Sequence, residues 1–247
     1  MGSIDAIRLP ALEGIWLPLV TPFSDGALDT ESLAILVYYY TTTPIDGLIL
    51  GATTGEGLAL RREETEAVVR TAAATAAGRL PLYLGLGGAD TAAMAKQIAD
   101  TRDWPIDGYL ITCPYYMRPS QEGLYRHFAH LAARTPRPIA LYNIPYRTGV
   151  NLANDTLLRL AALDNIVGVK DCSADLAQSF DLLTRRPPGF AVMTGEDAQF
   201  FAALAQGADG GILAAAHVET EGFAAVRGDL LAGDRIGQLQ SWRQLAD

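Results

Sequence analysis

The chain has 247 residues, 49% of them hydrophobic and 19% charged, with a net charge of −9 at pH 7. This is a globular composition with ample length for a core, and its acidic balance argues against nucleic acid or an anionic membrane as a partner. Two cysteines, Cys113 and Cys172, are too few for a disulfide framework; with no signal-peptide pattern and no membrane-length apolar run, a cytoplasmic protein is expected.

Short apolar runs recur along the chain and predict strands at 14–20, 47–51, 82–86, 108–113, 139–143, 166–170, 190–194 and 210–213. Each is short and mostly rich in Ile, Leu, Val or Tyr, with Gly or Pro close by, as strands buried on both faces are. Amphipathic stretches lie between them. "DTESLAILVYYY" opens on a cap at Asp29 or Thr30, and "RREETEAVVRTAAATAA" places Glu63 and Glu64 near the positive end of its dipole. Ser120 and Ser173 read as N-caps of the helices that follow them. Strand–helix alternation eight times over predicts a (β/α)8 TIM barrel, with 1–247 a single domain and 218–247 a short terminal helical segment. A doubly wound sheet is the alternative, but neither a GxGxxG after the first strand nor a GxxxxGK[ST] loop is present to support it.

In such a barrel the reacting groups come from the carboxyl ends of the strands. Thr53 and Thr54 follow the second strand and Tyr115 and Tyr116 the fourth, while Tyr142 lies near the end of the fifth. Lys170 ends the sixth, and it is one of only two lysines, the other being Lys96, in a chain with 17 arginines. An apolar barrel penalises an ammonium, which frees the amine to attack a ketone or aldehyde and form a Schiff base. Tyr142, relayed through a hydroxyl such as Thr53, is placed to move the protons this chemistry requires. The "GATTGEG" loop, whose glycines, Gly55 among them, let backbone amides approach an anion and whose Thr54 adds a hydroxyl, suits the carboxylate of a 2-keto acid.

Four segments, "GATTGEG", "TCPYYMRPSQEGLYRHF", "YNIPYRTG" and "GVKDCSAD", occur in an order and spacing that resembles the dihydrodipicolinate synthase / N-acetylneuraminate lyase family of pyruvate-dependent class I aldolases. The opening "GIWLPLVTPF" is similar to that family's first strand. The resemblance runs from about residue 12 to 213 and implies a Schiff base between Lys170 and pyruvate. It further implies a proton relay of Tyr142, Thr53 and Tyr116, the last lent by a neighbouring subunit, and hence a homo-oligomer (dimer or tetramer). Thr54 and Gly55 would hold the pyruvate carboxylate, Ile212 would line the pocket, and Arg147 would bind the carboxylate of the second substrate. No metal or organic cofactor is implied. The activity implied is condensation of pyruvate with aspartate semialdehyde, a step of lysine biosynthesis. The alternatives are another pyruvate-dependent aldolase or dehydratase acting on a sugar acid or keto acid, and a non-catalytic keto-acid-binding descendant.

Some positions depart from the family pattern. Ala52 stands where Gly is usual, and Leu213 and His217 replace a Ser and an Asn after the eighth strand. Only 34 residues follow Leu213, room for one helix or a helix and a short tail, so most of the family's C-terminal helical extension is expected to be missing. Many dihydrodipicolinate synthases bind free lysine through an Asn, a Glu and a His; Ala89, Ala93 and Thr65 stand at those places, which implies insensitivity to lysine. His127 and His130 share a helix face at i, i+3, but no carboxylate or cysteine joins them and a metal is not expected. Lys96 reads as a surface charge and Cys172 as a small packing residue.

Overall fold

The computed structural model describes residues 12–246. Eight parallel strands, β1 (Gly14–Pro18), β2 (Gly47–Leu50), β3 (Leu82–Leu86), β4 (Gly108–Thr112), β5 (Ile139–Asn143), β6 (Ile166–Asp171), β7 (Ala191–Thr194) and β8 (Gly210–Ile212), close into a barrel. Closure is explicit, because β1 pairs with β2 on one side (Trp16 opposite Gly47) and with β8 on the other (Gly14 opposite Gly210). An open doubly wound sheet is thereby excluded. All eight predicted strands are present within a few residues of their expected bounds.

Burial of both faces sorts the strand residues by parity. Trp16, Ile49, Tyr83, Leu110, Ala140, Tyr142, Met193 and Ile212 pack together inside the barrel. The alternate strand residues, among them Ile15, Leu48, Leu84, Ile111, Leu141 and Val169, pack outward under the helices. The two bulkiest interior side chains, Trp16 and Tyr83, meet edge to face with ring centroids 4.9 Å apart. Room for them comes from the neighbouring strands: a Cβ on Gly47 would lie 2.6 Å from the Trp16 ring, and one on Gly108 would lie 2.5 Å from Tyr83.

The helices that wrap the barrel are α1 (Thr30–Tyr40), α2 (Arg62–Ala76), α3 (Thr91–Asp100), α4 (Gln121–Ala132), the short α5 (Pro145–Thr148), α6 (Asn154–Leu160), α7 (Leu176–Arg185), α8 (Phe200–Ala205), α9 (Thr220–Leu231) and α10 (Arg235–Ala246). Asp29 caps α1 by accepting from Ser32 N–H, and Ser120 caps α4 by accepting from Gly123 N–H, as expected. Ser173 does not cap α7. Asp175 does, accepting from the amides of Ala177 and Gln178, because the helix begins two residues later than its composition suggests. Where one helix or a helix and tail was expected after β8, two helices follow, and the rings of Phe201 and Trp242 stack at 6.0 Å between α8 and α10. Among the described residues no helix is long and apolar enough to cross a membrane.

Candidate active site

Register brings the first two residues together. Tyr142 on β5 pairs with Lys170 on β6, and since Tyr142 faces the barrel interior its register partner must as well. The Lys170 Nζ lies 4.6 Å from the centroid of the Tyr142 ring. Lys170 is only 5% exposed, with its stem against Gly195, where a Cβ would come within 2.4 Å of Lys170 Cε. Burial pulls the Lys170 ammonium below its ordinary pKa of 10.5, while the nearby Cys172, Asp197 and Glu196 side chains work against that shift. Burial raises the Tyr142 phenol, with Cys172 adding to the rise and hydrogen bonding with Thr53 opposing it. The arrangement is a lysine biased towards its neutral form beside a phenol biased towards its protonated form.

Cys172 belongs to the same group. It is buried, and its Sγ donates to Tyr142 Oη at 4.0 Å. Its thiol is pushed up to about 12, chiefly by burial, so it stays protonated and contributes volume and a weak donor rather than a thiolate.

In front of Tyr142 opens a cavity of about 690 Å³. Thr53, Tyr116, Tyr142 and Arg147 of the expected set line it, together with Tyr115 and Tyr146. Lys170, Thr54, Gly55 and Ile212 do not line it. Lys170 lies behind the Tyr142 ring, Gly55 is buried in its loop, and Ile212 is fully enclosed in the barrel interior beside Met193. Arg147 projects from α5, which starts at Pro145 and ends on Gly149 in the left-handed conformation. Its guanidinium lies 6.0 Å from the Tyr146 ring centroid, and no carboxylate within the described residues pairs with it.

The loops that build this mouth are packed tightly. In "GATTGEG" the glycines serve the loop's own backbone: a Cβ on Gly57 would sit 1.7 Å from Gly51 O, and one on Gly55 would sit 2.6 Å from Leu19 O. Thr21 Oγ1 fixes the same turn by donating to Gly55 O at 2.7 Å. After β4, Tyr116 and Arg118 both adopt left-handed backbone, at φ +69° and +47°. Tyr116 N–H donates to Thr148 O at 3.0 Å and ties this loop to α5. Tyr116 is 87% exposed, beside Met117 at 68% and, on the β2 loop, Leu58 at 73%.

His217 is a brace. Its Nε2 accepts from Val20 N–H at 3.2 Å, its Nδ1 donates to Ala214 O at 2.8 Å, and its own carbonyl accepts from Tyr40 Oη at 2.9 Å. Receiving a backbone N–H requires the neutral ring, and burial accordingly lowers its pKa. The other histidines stay apart from the site. His127 is buried with Nδ1 at 2.7 Å from Thr91 Oγ1, whereas His130 is exposed. Among the described residues no cluster of three or more potential metal ligands occurs. Lys96 pairs with Asp100 at 2.5 Å on the surface.

Glu196, which sequence reasoning did not single out, reaches the mouth through Tyr146: Tyr146 Oη donates to Glu196 Oε1 at 2.8 Å. The two are 50 residues apart, and the β5–β6–β7 strand order makes them neighbours.

Comparison with known proteins agrees with this architecture. The model of the dihydrodipicolinate synthetase family matches residues 11–241. The chain is 43% identical over 236 residues to 4-hydroxy-tetrahydrodipicolinate synthase 2 of Clostridium acetobutylicum, covering 96% of this chain and 82% of that one. Its fold is similar to that of a dihydrodipicolinate synthase from Acinetobacter baumannii solved with pyruvate, at TM-score 0.89 and 33% identity, covering 94% and 80% of the two chains. It also resembles a monomeric dihydrodipicolinate synthase variant at TM-score 0.92 and 31% identity, covering 94% and 79%.

Proposed function

The chain belongs to the dihydrodipicolinate synthetase family, and from that membership we propose that it condenses pyruvate with aspartate semialdehyde through a Schiff base on Lys170. The observation that carries the reading is the pairing of a buried, pKa-lowered Lys170 with Tyr142 at one end of the barrel. A neutral amine attacks the keto carbon of pyruvate, water leaves, and the resulting iminium draws electrons from the adjacent methyl group. Loss of a methyl proton then gives an enamine, the carbon nucleophile that adds to the aldehyde. Tyr142 serves as the proton carrier in these steps, since its phenol keeps its proton until a stronger base takes it and lies against Thr53. Thr53 and Tyr116 complete the relay towards the cavity, and Thr54 with the Gly55 turn holds the pyruvate carboxylate.

Arg147 anchors the carboxylate of the second substrate. A guanidinium with no carboxylate partner among the described residues, lining the cavity of a chain with net charge −9, is the local positive site an acidic aldehyde needs. The working form is a homo-oligomer. The exposed apolar group of Leu58, Tyr116 and Met117 at the mouth supports this reading, because a second copy seated there would cover it and bring its own Tyr116 to the site.

Pyruvate and borohydride followed by peptide mass mapping tests the mechanism. The reduced adduct should fall on Lys170 and disappear in Lys170→Ala, whereas an adduct on Lys96, or none, would overturn it. If the adduct forms but aspartate semialdehyde is not consumed, the synthase assignment gives way to another pyruvate-dependent lyase.

A further inference from the structure

The cavity is lopsided. Every residue that lines it comes from β2–β5 or the loops after them, and none comes from β6, β7, β8 or β1. The Tyr146–Glu196 hydrogen bond marks the boundary. Tyr146 lies in the loop after β5 and Glu196 in the loop after β7, so the bond passes over the end of β6, where Lys170 sits. Its far end is anchored on the lysine itself, because Gly195 packs on Lys170 Cε and Cys172 Sγ, and Glu196 N–H donates to Thr194 Oγ1 at 3.2 Å. Polar groups lie beyond this bar. Asp197 is half-buried there, with its carboxyl against the backbone of Ala214 and Ala215. A carboxylate is the kind of acceptor that a substrate hydroxyl uses.

We infer that the Tyr146–Glu196 hydrogen bond is a specificity bar that confines the aldehyde to the β2–β5 half of the mouth and denies a polyhydroxylated chain the polar groups of the β6–β8 half. The inference rests on the condensation reading above and deepens it by naming what the site rejects. A small acidic aldehyde needs only Arg147, which lies on the open side. A longer, sugar-like aldehyde has to extend past the bar, where Asp197 would meet its hydroxyls. Although Tyr146 as a whole is 59% exposed, partial burial of its hydroxyl and the hydrogen bond to Glu196 both raise the phenol, so it stays protonated and donating at neutral pH.

The test uses Tyr146→Ala and Glu196→Ala, which break the same bond from opposite loops, with Tyr146→Phe to remove the bond while keeping the ring. The ratio of kcat/KM for an aldotetrose to that for aspartate semialdehyde, with pyruvate as donor, should rise by about tenfold or more in both alanine variants and by less in Tyr146→Phe. A ratio unchanged within about twofold in both alanine variants, with the pyruvate adduct on Lys170 still forming, overturns the proposal. A second readout needs no turnover. Cyanate labelling of Lys170 relative to Lys96, the only other lysine, should rise in both alanine variants if the bar covers β6, and an unchanged ratio counts against it. Failure of the condensation reading shows itself separately, as no pyruvate adduct or no aspartate semialdehyde consumed by the wild-type protein.

Discussion

Tyr142 and Lys170 stand directly opposite each other on neighbouring parallel strands, with the lysine nitrogen 4.6 Å from the centre of the phenol ring. Each side chain shapes the other's surroundings. The ring covers the lysine head from water, although its face also attracts an ammonium, and the amine lies beside the hydroxyl-bearing residue that would exchange protons with it.

A buried amine is a stability liability, and Lys170→Met should expose it. The folded-state pKa of Lys170 lies below the ordinary value of 10.5. The unfolded chain therefore binds a proton more readily below pH 10.5, and stability is reduced throughout the range beneath that value. Lys170→Met should raise Tm at neutral pH while abolishing the pyruvate adduct, each ~1 kcal/mol regained adding roughly 2 to 4 °C in a domain of this size. The gain should shrink as pH rises towards 10.5. Thermal melts of both proteins from pH 7 to 10 provide the check, and a variant less stable than wild type at neutral pH would contradict it.

Removing the guanidinium at the mouth should separate the two half-reactions. Arg147→Ala should lower kcat/KM for aspartate semialdehyde by roughly 30- to 1,000-fold, corresponding to about 2 to 4 kcal/mol for a partly desolvated charged contact. Pyruvate adduct formation should persist. Arg147→Lys should recover little, because a point charge does not reproduce the two-pronged contact of the guanidinium with a carboxylate. Parallel loss of adduct and thermal stability would mean that Arg147 merely supports its loop.

His217 should act as an acid-labile brace. Its folded-state pKa is lowered from 6.5, so its contribution is whole above pH 6.5, declines as pH falls below that, and is spent once pH has passed the folded-state value. His217→Ala leaves Val20 N–H and Ala214 O without their partner, a loss of about 1 to 2 kcal/mol. Denaturant titrations at pH 7.5 and 5 should show the variant less stable at the higher pH and closer to wild type at the lower. An equal gap at both would remove the titration argument.

Free lysine at millimolar concentration should leave the rate unchanged. Thr65 lines a cleft of about 370 Å³ beside α2 and α3 whose one carboxylate, Asp100, is already paired with Arg62 at 2.7 Å and Lys96 at 2.5 Å. A lysine ammonium entering there would find no free acidic partner. Initial rates with and without added lysine decide the matter, and strong inhibition would refute this assignment of Thr65, Ala89 and Ala93.

The barrel was legible from the sequence because burial on both faces writes each strand as an uninterrupted apolar run, and eight such runs leave few topologies. Interior parity then places Tyr142 and Lys170 side by side once β5 and β6 are known to be neighbours. Local chemistry was less reliable. Ser173 and Asp175 are both good caps two residues apart, and only the start of α7 decides between them. The glycines of "GATTGEG" look like a cradle for an anion, yet Gly55 and Gly57 are also required by backbone contacts with Leu19 and Gly51. His217 and the Tyr146–Glu196 bond could not be read at all, since each joins segments far apart in sequence that only the order of the strands brings together.

The left-handed backbone at Tyr116 and Arg118 says something about what this loop is kept for. Left-handed geometry disfavours a side-chain-bearing residue by on the order of 1 kcal/mol, whereas glycine accepts it freely. Tyr116 is largely outside the protein and adds nothing to the core, so folding alone would be better served by glycine at that position. A screen for thermostability would therefore drift towards Tyr116→Gly and Arg118→Gly and shed both side chains from the mouth. Selection for turnover would hold them, and the two pressures pull against each other in one three-residue stretch.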